Sequence, residues 1–397
     1  MFALQVFRSP ARYSAARLVS HRVPGALTAG LAPLRLVKAS APALPAADWA
    51  RIRPRLSGIC GSDLALLSGK ASTYFSALVS FPFTPGHELV GDLVDDVGDL
   101  AAGTRVVLNP ALTCQARHLP ECAACRAGVR EQCSGVASGD LAPGMQTGYC
   151  ADTGGAWAGM LVAHRSQVHA VPDDLPDGAA MLIEPLACAL HGVERGLSAT
   201  RDSTSVGAVL VAGAGALGLL TILALRLLGW EGEIIAVGRH SHQRDRALAL
   251  GASLAVSPDM AISAARRLSR STRLDPSRGS PFLLGGVDVA FECAGTPSAL
   301  DLAMRTTRGG GRVVLVGMPA AGVDLAPVWF RELEVIGAYA ASGGFQAALN
   351  FSSRVADQLD GLVSATYPLV RWREAIDHAL DAGRLGDARI AFDPRAD

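Results

Sequence analysis

The stretch that most restricts the fold of this chain is VLVAGAGALGLL, at residues 209–220. An apolar run at 209–212 predicts a buried strand, and the apolar residues after the last glycine predict a helix. The three glycines between them follow the G-x-G-x-x-G spacing, which in a strand–turn–helix context indicates a bound dinucleotide. The first permits a tight turn, the second lets the backbone approach a pyrophosphate, and the third lets the helix pack on the sheet. The helix N-terminus then offers N–H donors and partial positive charge to the phosphates. The predicted cofactor-binding residues of this turn are Gly213, Gly215, Ala216, Leu217 and Gly218.

The pattern around this turn predicts two domains. After about residue 185, strand-like runs such as GEIIAVGR, VDVAFECAG and GRVVLVGMP alternate with helical runs such as QRDRALALGA and SALDLAMRTT. This alternation is typical of βαβ units on a parallel sheet. Before residue 185, short β-like runs separated by turn signals (RIRPRL, ELVGDLV, TRVVLNP, SQVHAV) predict a β domain of barrel type. We therefore predict a β domain over 1–185, to which 341–397 returns, and an α/β domain over 186–340.

The end of the next strand bears on the choice of cofactor. An NAD site usually has an acidic residue about 20 positions after the glycines, where it binds the ribose 2′-hydroxyl. Gly238 occupies that position here, and it is followed by Arg239, His240 and Arg244. Loss of the carboxylate removes repulsion against a 2′-phosphate, and an arginine can bind that phosphate. The sequence thus favours NADP, with NAD as the alternative if Arg239 is only a solvated loop residue.

Four of the eight cysteines lie within 20 residues of one another, at Cys114, Cys122, Cys125 and Cys133. The C-x2-C step and the cysteine eight positions later suit a tetrahedral zinc that four thiolates close completely, which is a structural site. Disulfides are disfavoured in a reducing compartment. Because Cys114 precedes Cys122 by eight positions, the intervening loop must fold back, and His118 in that loop is an alternative fourth ligand.

The amino-acid composition argues against a disordered chain and against binding to nucleic acid or membrane. Half of the residues are hydrophobic and 18% are charged, so the chain has material for packed cores. Basic and acidic residues balance at 36 each, so no net charge attracts the protein to nucleic acid or to a membrane surface. No apolar run approaches the ~20 residues of a membrane span. Residues 1–47 lack acids and resemble a transit peptide faintly, but MFALQV and LRLVKA read as strands. We expect a cytoplasmic protein that binds a small molecule.

Read together, the motifs of the chain resemble those of the zinc-dependent medium-chain dehydrogenase/reductases, in particular the sorbitol and threonine dehydrogenase branch. They are GICGSD at 58–63, PGHELVG at 85–91, the four cysteines, IEPLACALHGV at 183–193, GAGALG at 213–218 and DVAFECAG at 288–295. The resemblance covers nearly the whole chain. It implies a GroES-like β-barrel catalytic domain plus a Rossmann dinucleotide-binding domain, and a dimer or tetramer.

The resemblance also implies a catalytic zinc held by Cys60, His87 and Glu184, with Glu88 as a fourth or exchanging ligand. One thiolate, one imidazole and one carboxylate neutralise Zn²⁺ and leave a position open. A hydroxyl group that binds there becomes more acidic.

Two neighbours of the cysteine ligand receive roles by the same resemblance. Ser62 is expected to take the proton from the alcohol, and Asp63 to accept a hydrogen bond from the ring of His87 and so fix its tautomer. Some relatives extend the proton relay with a histidine at the position of Ala65, so the path beyond Ser62 is open.

The implied reaction is hydride transfer from a secondary alcohol, polyol- or cyclitol-like, to the nicotinamide, which yields a ketone; the reverse reduction is equally allowed. Two alternatives are a zinc-independent quinone-type reductase of the same fold and a non-catalytic nucleotide-binding protein. The other cysteines, Cys150, Cys188 and Cys293, are interpreted as small packing residues, and His191 as a structural helix residue.

Overall fold

The computed structural model describes residues 1–20, 23, 25–198, 207–318, 322–340 and 343–396. The chain divides into two compact units, Met1–Glu184 with Ala341–Asp397 and Pro185–Ala340. The helix Ile183–Leu197 contains the boundary between them. Within the described ranges, no helix is both long and apolar enough to cross a bilayer.

The second unit is built on a six-stranded sheet in which every neighbouring pair of strands is parallel. The apolar run of the glycine motif forms strand Ala208–Ala212, whose five residues are all buried. Such continuous burial is expected where a parallel sheet is covered on both faces. This first strand lies inside the sheet, and strand order reverses beside it, which is the position where doubly wound sheets bind nucleotides. Across the sheet the strands are Leu254–Val256, Glu233–Val237, Ala208–Ala212, Val287–Glu292, Thr307–Leu315 and Glu334–Gly337.

Helices connect these strands as the alternating pattern predicts. They are Ala216–Leu227, Ser241–Ala249, Ala261–Ser269, Pro297–Thr306 and Ala326–Arg331, with a single 3₁₀ turn at Pro258–Met260. An antiparallel hairpin, Thr272–Leu274 with Phe282–Leu284, was not predicted, because three-residue strands are too short to show a period.

The first unit contains the predicted β domain. Its central strand, Trp49–Gly58, pairs antiparallel with Leu89–Leu93, with Leu161–His164 and with the last strand of the chain, Arg389–Phe392. This last pairing incorporates the C-terminal segment into the sheet of the first unit. The sheet also includes Arg105–Leu108, Val168–Ala170 and Val363–Tyr367, and a separate antiparallel pair is formed by Phe2–Val6 and Leu34–Lys38.

Helices and turns surround this sheet. The helices are Pro10–Val19, Gly61–Leu67, Ala123–Arg126, Asp177–Met181, Phe345–Ser352, Ala356–Asp360 and Trp372–Leu385. Shorter 3₁₀ turns lie at Thr73–Ala77, Arg130–Gln132, Ser353–Val355 and Leu369–Arg371, and a π-helical turn at Leu27–Leu31.

Large apolar side chains from distant parts of the chain form one core of the first unit. Trp157 and Phe392 are fully buried and meet edge to face, with ring centroids 5.1 Å apart. The indole N–H of Trp157 donates to the carbonyl of Gly58 at 3.2 Å. Because this carbonyl lies two residues before Cys60, the core fixes the chain where the GICGSD motif begins.

Candidate active site and zinc centres

Cys60 lies directly before the helix Gly61–Leu67, in an extended backbone conformation. The carboxylate of Asp63, three residues later, accepts a hydrogen bond from the amide N–H of Cys60 at 3.1 Å, which is a capping-box arrangement. The motif therefore places the thiol at the start of a helix whose first turn it helps to build.

His87 and Glu88 directly precede strand Leu89–Leu93, which pairs with the central strand. Both side chains are buried, at 4% and 1% exposure. Gly58 makes room for Glu88, because a Cβ at position 58 would lie 2.2 Å from its Oε2 atom. The first glycine of GICGSD therefore leaves room for the glutamate of the GHE motif.

These motifs bring three donor side chains together. One atom from each of Cys60, His87 and Glu88 lies within 4.8 Å of the others. The Oε2 atom of Glu88 is buried and makes no hydrogen bond within the part of the chain that the structure describes. A buried carboxylate oxygen is normally hydrogen-bonded, whereas this one has only the charge of Arg389, at 3.3 Å, beside it and can accept a metal ion as well. Sulfur, imidazole nitrogen and carboxylate oxygen are the ligands that Zn²⁺ takes, and this donor set fits that ion.

Asp63 departs from its predicted role in one respect. Its Oδ1 atom lies 3.8 Å from Nδ1 of His87, which is beyond hydrogen-bonding distance, and neither atom has a hydrogen-bond partner among the described residues. The predicted hydrogen bond is therefore absent. The other carboxylate oxygen is bound to the N–H of Cys60 at the helix start, and this contact holds the side chain slightly away from the ring. Asp63 acts on His87 through its charge.

Burial and charged neighbours shift the pKa values of two side chains of the cluster. Burial raises the pKa of Asp63 to about 6. Burial also opposes a charge on His87, but Asp63, Cys60 and Glu184 outweigh it and raise the pKa of the imidazole well above its usual value. Glu184, itself buried, thus acts electrostatically on the same ring, and its service as a ligand stays a prediction.

Sequence reasoning missed Arg389, which lies 3.3 Å from Oε2 of Glu88 and donates to the carbonyl of Ile59 at 2.9 Å. It is 7% exposed and belongs to the C-terminal strand Arg389–Phe392. Burial disfavours its charge, but Glu88, Cys60 and Glu184 outweigh burial and raise its pKa. An arginine at the head of the otherwise apolar strand RIAF is the only local signal of this role.

Ser62 and two aromatic residues complete the surroundings of the cluster. The hydroxyl oxygen of Ser62 is buried and has no hydrogen-bond partner among the described residues. The ring of Tyr149 lies 5.9 Å from that of His87 and stacks on Phe83 at 5.4 Å. The site therefore combines a free hydroxyl with an apolar aromatic wall.

The four cysteines of the second predicted site meet as expected from their spacing. Cys114, Cys122, Cys125 and Cys133 each place a sulfur within 4.8 Å of the others, and the first and last sulfurs are 3.5 Å apart. Backbone N–H groups of Cys125 and Ser134 lower the pKa of Cys122 to about 5, whereas burial raises that of Cys125 to about 12. Four sulfurs at these distances fit a tetrahedral zinc, which would take all four as thiolates.

His118, the alternative ligand, points away from the sulfurs. Its ring contacts Asp140 at 2.8 Å and Asp48 at 3.2 Å, and Asp48 also contacts Nε2 of His164 at 3.0 Å. Asp48, His118 and His164 are close enough to share an ion. However, the amide of Ser166 donates to Nδ1 of His164, which places the proton of the neutral ring on Nε2, toward Asp48. This group is therefore a hydrogen-bonded network.

The glycine turn in the second unit has the geometry that its motif predicts. Gly213 has φ +113°, and a Cβ at Gly218 would lie 1.7 Å from the carbonyl oxygen of Gly213. Gly215 directly precedes the helix Ala216–Leu227, and a Cβ there would meet no atom within 4 Å. The start of this helix, which includes Ala216 and Leu217, is thus open for a phosphate group, and the turn fits a dinucleotide.

The loop after strand Glu233–Val237 carries the residues predicted to select the cofactor. Gly238 is buried and Arg239 is exposed. Arg244 donates to the carbonyls of Gly238 at 2.9 Å and of Arg239 at 3.0 Å, and so shapes the loop. His240 directly precedes the helix Ser241–Ala249.

The remaining cysteines and His191 belong to neither group of candidate metal ligands. Cys150 is buried in an apolar cluster, where burial raises its pKa. Cys293 contacts the hydroxyl of Thr221 at 3.5 Å, and burial raises its pKa to about 12. Cys188 and His191 belong to the helix Ile183–Leu197.

Comparison with known proteins gives two family matches. Residues 46–173 match the alcohol dehydrogenase GroES-like domain, and residues 216–354 match the zinc-binding dehydrogenase domain. A sorbitol dehydrogenase of Bacillus subtilis is 27% identical over 341 residues, which is 84% of this chain and 87% of that protein.

Solved structures agree with these matches. A zinc-binding dehydrogenase of Sinorhizobium meliloti bound to NADP has 26% identity and a TM-score of 0.66, over 91% of this chain and 95% of that one. An alcohol dehydrogenase of Thermus sp. ATN1 has a TM-score of 0.73 at 24% identity, with 99% of each chain covered.

Proposed function

The chain belongs to the zinc-dependent medium-chain dehydrogenases, and we propose that Cys60, His87 and Glu88, with Glu184, hold its catalytic zinc. The predicted fold class, a GroES-like β domain with a Rossmann domain, is confirmed. The protein is an NAD(P)-dependent alcohol dehydrogenase that acts on a secondary alcohol. The observation that carries the site assignment is the convergence of three buried donors within 4.8 Å, one of them a carboxylate oxygen without a hydrogen bond among the described residues.

Each side chain of the site has its own role in the reaction. When bound, zinc lowers the pKa of the substrate hydroxyl and the nicotinamide accepts the hydride, so that the alcohol becomes a ketone. Ser62 is free to accept a hydrogen bond from the substrate hydroxyl and to receive its proton. Asp63 orients the thiol of Cys60 through the helix start and places negative charge near the ring of His87. Tyr149 and Phe83 exclude water beside that ring.

The substrate class is proposed to be a polyol or a related cyclic alcohol. The sorbitol dehydrogenase among the relatives supports this class. For the cofactor we favour NADP, because Gly238 offers no carboxylate and Arg239 is exposed beside it. The NADP found in the Sinorhizobium meliloti structure supports this choice. We place the enzyme in the cytoplasm, where eight free cysteines stay reduced.

We further propose a homodimer formed through the second unit. Strand Glu334–Gly337 lies at an edge of the parallel sheet. Beside it in sequence, the helix Ala326–Arg331 exposes Trp329 at 83% and Phe330 at 64%. An unpaired strand edge next to exposed aromatic residues is a surface that a second copy can cover.

The experiment that tests the site is a metal count combined with turnover. Cys60→Ala should lose one of the two expected zinc ions and all turnover of a panel of sugar alcohols, cyclitols and simple secondary alcohols with NAD and NADP. Cys150→Ala, which removes a buried thiol that is not a predicted ligand, is the matched control and should retain both. Full activity in Cys60→Ala would overturn the assignment. A wild-type enzyme with one zinc ion would favour the zinc-independent reductase.

A further inference from the structure

Arg117 lies in the loop between Cys114 and Cys122, and its side chain is completely buried. Its guanidinium donates to five backbone carbonyls and to no carboxylate in the part of the chain that the structure describes. The carbonyls are those of Leu112 at 3.3 Å, Ser138 at 3.0 Å, Leu141 at 3.0 Å, Ala142 at 3.2 Å and Gly144 at 2.7 Å. Its hydrogen bonds are thus satisfied, but the carbonyls carry no net charge to offset the cation.

A buried cation without a counter-charge is costly, because it loses the hydration that water provides. Burial accordingly lowers the pKa of Arg117, and the groups that oppose this shift are Cys150, Cys133, Asp152 and Cys114. Asp152 is exposed and accepts the amide N–H of Ala142 at 2.6 Å, so solvent screens its charge. The remaining groups are thiols, and two of them belong to the four-sulfur cluster.

The four-sulfur cluster carries an uncompensated charge of the opposite sign, a negative one, when zinc is bound. Four thiolates around Zn²⁺ leave a net charge of about −2, and three of the four cysteines, Cys114, Cys125 and Cys133, are buried. Backbone amides offset part of it: the N–H of Gly135 donates to the sulfur of Cys133 at 3.3 Å. Amide dipoles supply only partial charges, so a full positive charge nearby would offset more of the negative charge.

We propose that Arg117 is the counter-cation of the zinc–tetrathiolate centre and that it couples zinc binding to the seating of residues 138–144. The inference rests on the four-cysteine zinc site of the proposed function. Four of the five carbonyls bound by Arg117 lie in 138–144, a segment without any zinc ligand. Loss of the anionic centre removes the charge that keeps the guanidinium buried, and this segment loses its anchor.

The first test uses the full-length enzyme loaded with Co²⁺, whose charge-transfer absorption reports thiolate ligands. Arg117→Gln removes the charge, Arg117→Lys keeps it but cannot bind five carbonyls, and Asp152→Asn removes the competing carboxylate. We expect Arg117→Gln to weaken zinc binding at the four-sulfur centre about 10–100-fold, the usual effect of removing a residue that supports metal ligands. Its thiolate-to-cobalt band should move to lower energy, whereas Arg117→Lys stays within a few-fold of wild type and Asp152→Asn is unchanged.

Equal losses in Arg117→Gln and Arg117→Lys with an unshifted band would reduce Arg117 to a scaffold for carbonyls and overturn the proposal. A wild-type enzyme without the four-thiolate absorption would instead contradict the zinc site itself, and the counter-cation with it. Turnover enters neither comparison, so failure of the catalytic assignment is recognised separately.

A second measurement needs no Arg117 variant and holds even if Arg117→Gln fails to fold. Hydrogen exchange is compared between wild-type enzyme with zinc, the same protein after chelation, and Cys60→Ala as a control that keeps the four-sulfur centre. We expect chelation to accelerate exchange in 138–144 together with 114–133, and Cys60→Ala to leave both protected. Continued protection of 138–144 while 114–133 opens would refute the coupling.

Discussion

Arg389→Met tests how the catalytic cluster is held together. The guanidinium lies 3.3 Å from Glu88 and donates to the carbonyl of Ile59 at 2.9 Å, and both acidic and basic side chains are almost fully buried. Methionine has a similar length but neither charge nor donors. The variant leaves a buried carboxylate without its cation and a buried carbonyl without its donor.

The size of the effect follows from these contacts. Breaking one partner of a buried ion pair typically costs about 3–5 kcal/mol, most of it from the charge that is left behind. For a domain of 150–250 residues, each kcal/mol lowers the melting temperature by about 2–4 °C, so a decrease of about 6–20 °C is expected. Glu88→Gln combined with Arg389→Met should recover much of the loss, because a neutral amide needs no cation.

The assay is thermal unfolding of the wild type, both single variants and the double variant, at neutral pH after zinc has been removed with a chelator, so that no metal ion replaces Arg389 as the cation of Glu88. Arg384→Ala, which removes an exposed pair with Asp381, is the control and should cost at most about 1 kcal/mol. A loss for Arg389→Met as small as that of the control would refute the reasoning. So would a double variant no more stable than Arg389→Met, since the cost would then not come from the isolated carboxylate.

Four further predictions follow from the structure. Asp63→Asn should weaken zinc binding at the catalytic cluster about 10–100-fold, measured by competition with a chelator, because the charge facing the imidazole is lost. Gly218→Ala should abolish cofactor binding in fluorescence titrations, because its Cβ would lie 1.7 Å from a carbonyl oxygen. Hydrogen bonds donated by the ring of His118 to Asp140 and Asp48 raise its pKa, so its stabilising contribution is complete below about pH 6.5 and disappears as pH rises through the higher folded value. Urea unfolding of wild type and His118→Gln should therefore differ at pH 5.5 and converge at high pH. Trp329→Glu should convert the dimer to a monomer in sedimentation experiments.

Each of these predictions would be contradicted by a specific result. Unchanged zinc affinity in Asp63→Asn would mean that its charge does not act on the ligands. Cofactor binding by Gly218→Ala would show that the turn can rearrange. A difference between wild type and His118→Gln that grows toward high pH would have the wrong sign. A dimeric Trp329→Glu would place the interface elsewhere.

The parts of the site that the sequence predicts are those carried by local patterns. The strand–glycine–helix pattern locates Gly213 and Gly218, since backbone conformation and close packing at these positions depend on neighbours in sequence. Cys60, His87 and Glu88 stand in short motifs, and pairing of the strands beside them brings the motifs together. For these residues, the type of side chain and its spacing in the sequence indicate the chemical role.

The residues that the sequence did not predict owe their roles to distant contacts. Arg389 reaches Glu88 only because the last strand pairs with the central strand more than 300 positions earlier. Arg117 looks like one of many solvated arginines until the loop folds around it. The contact between Asp63 and His87 depends on a fraction of an ångström, which no spacing rule resolves.

The way in which Cys60 begins its helix bears on how such enzymes can diverge. One bond of the capping box runs from the backbone N–H of Cys60 to Asp63 and does not use the sulfur, whereas the reciprocal bond, from the backbone N–H of Asp63 to the side chain of residue 60, can be accepted by a hydroxyl as well. Serine is among the preferred residues at this position, and Cys60→Ser should retain or improve the helix start while losing the metal. A single substitution at this position can therefore remove the metal ligand while the helix start is kept. Zinc-free enzymes of the same fold can arise in this way.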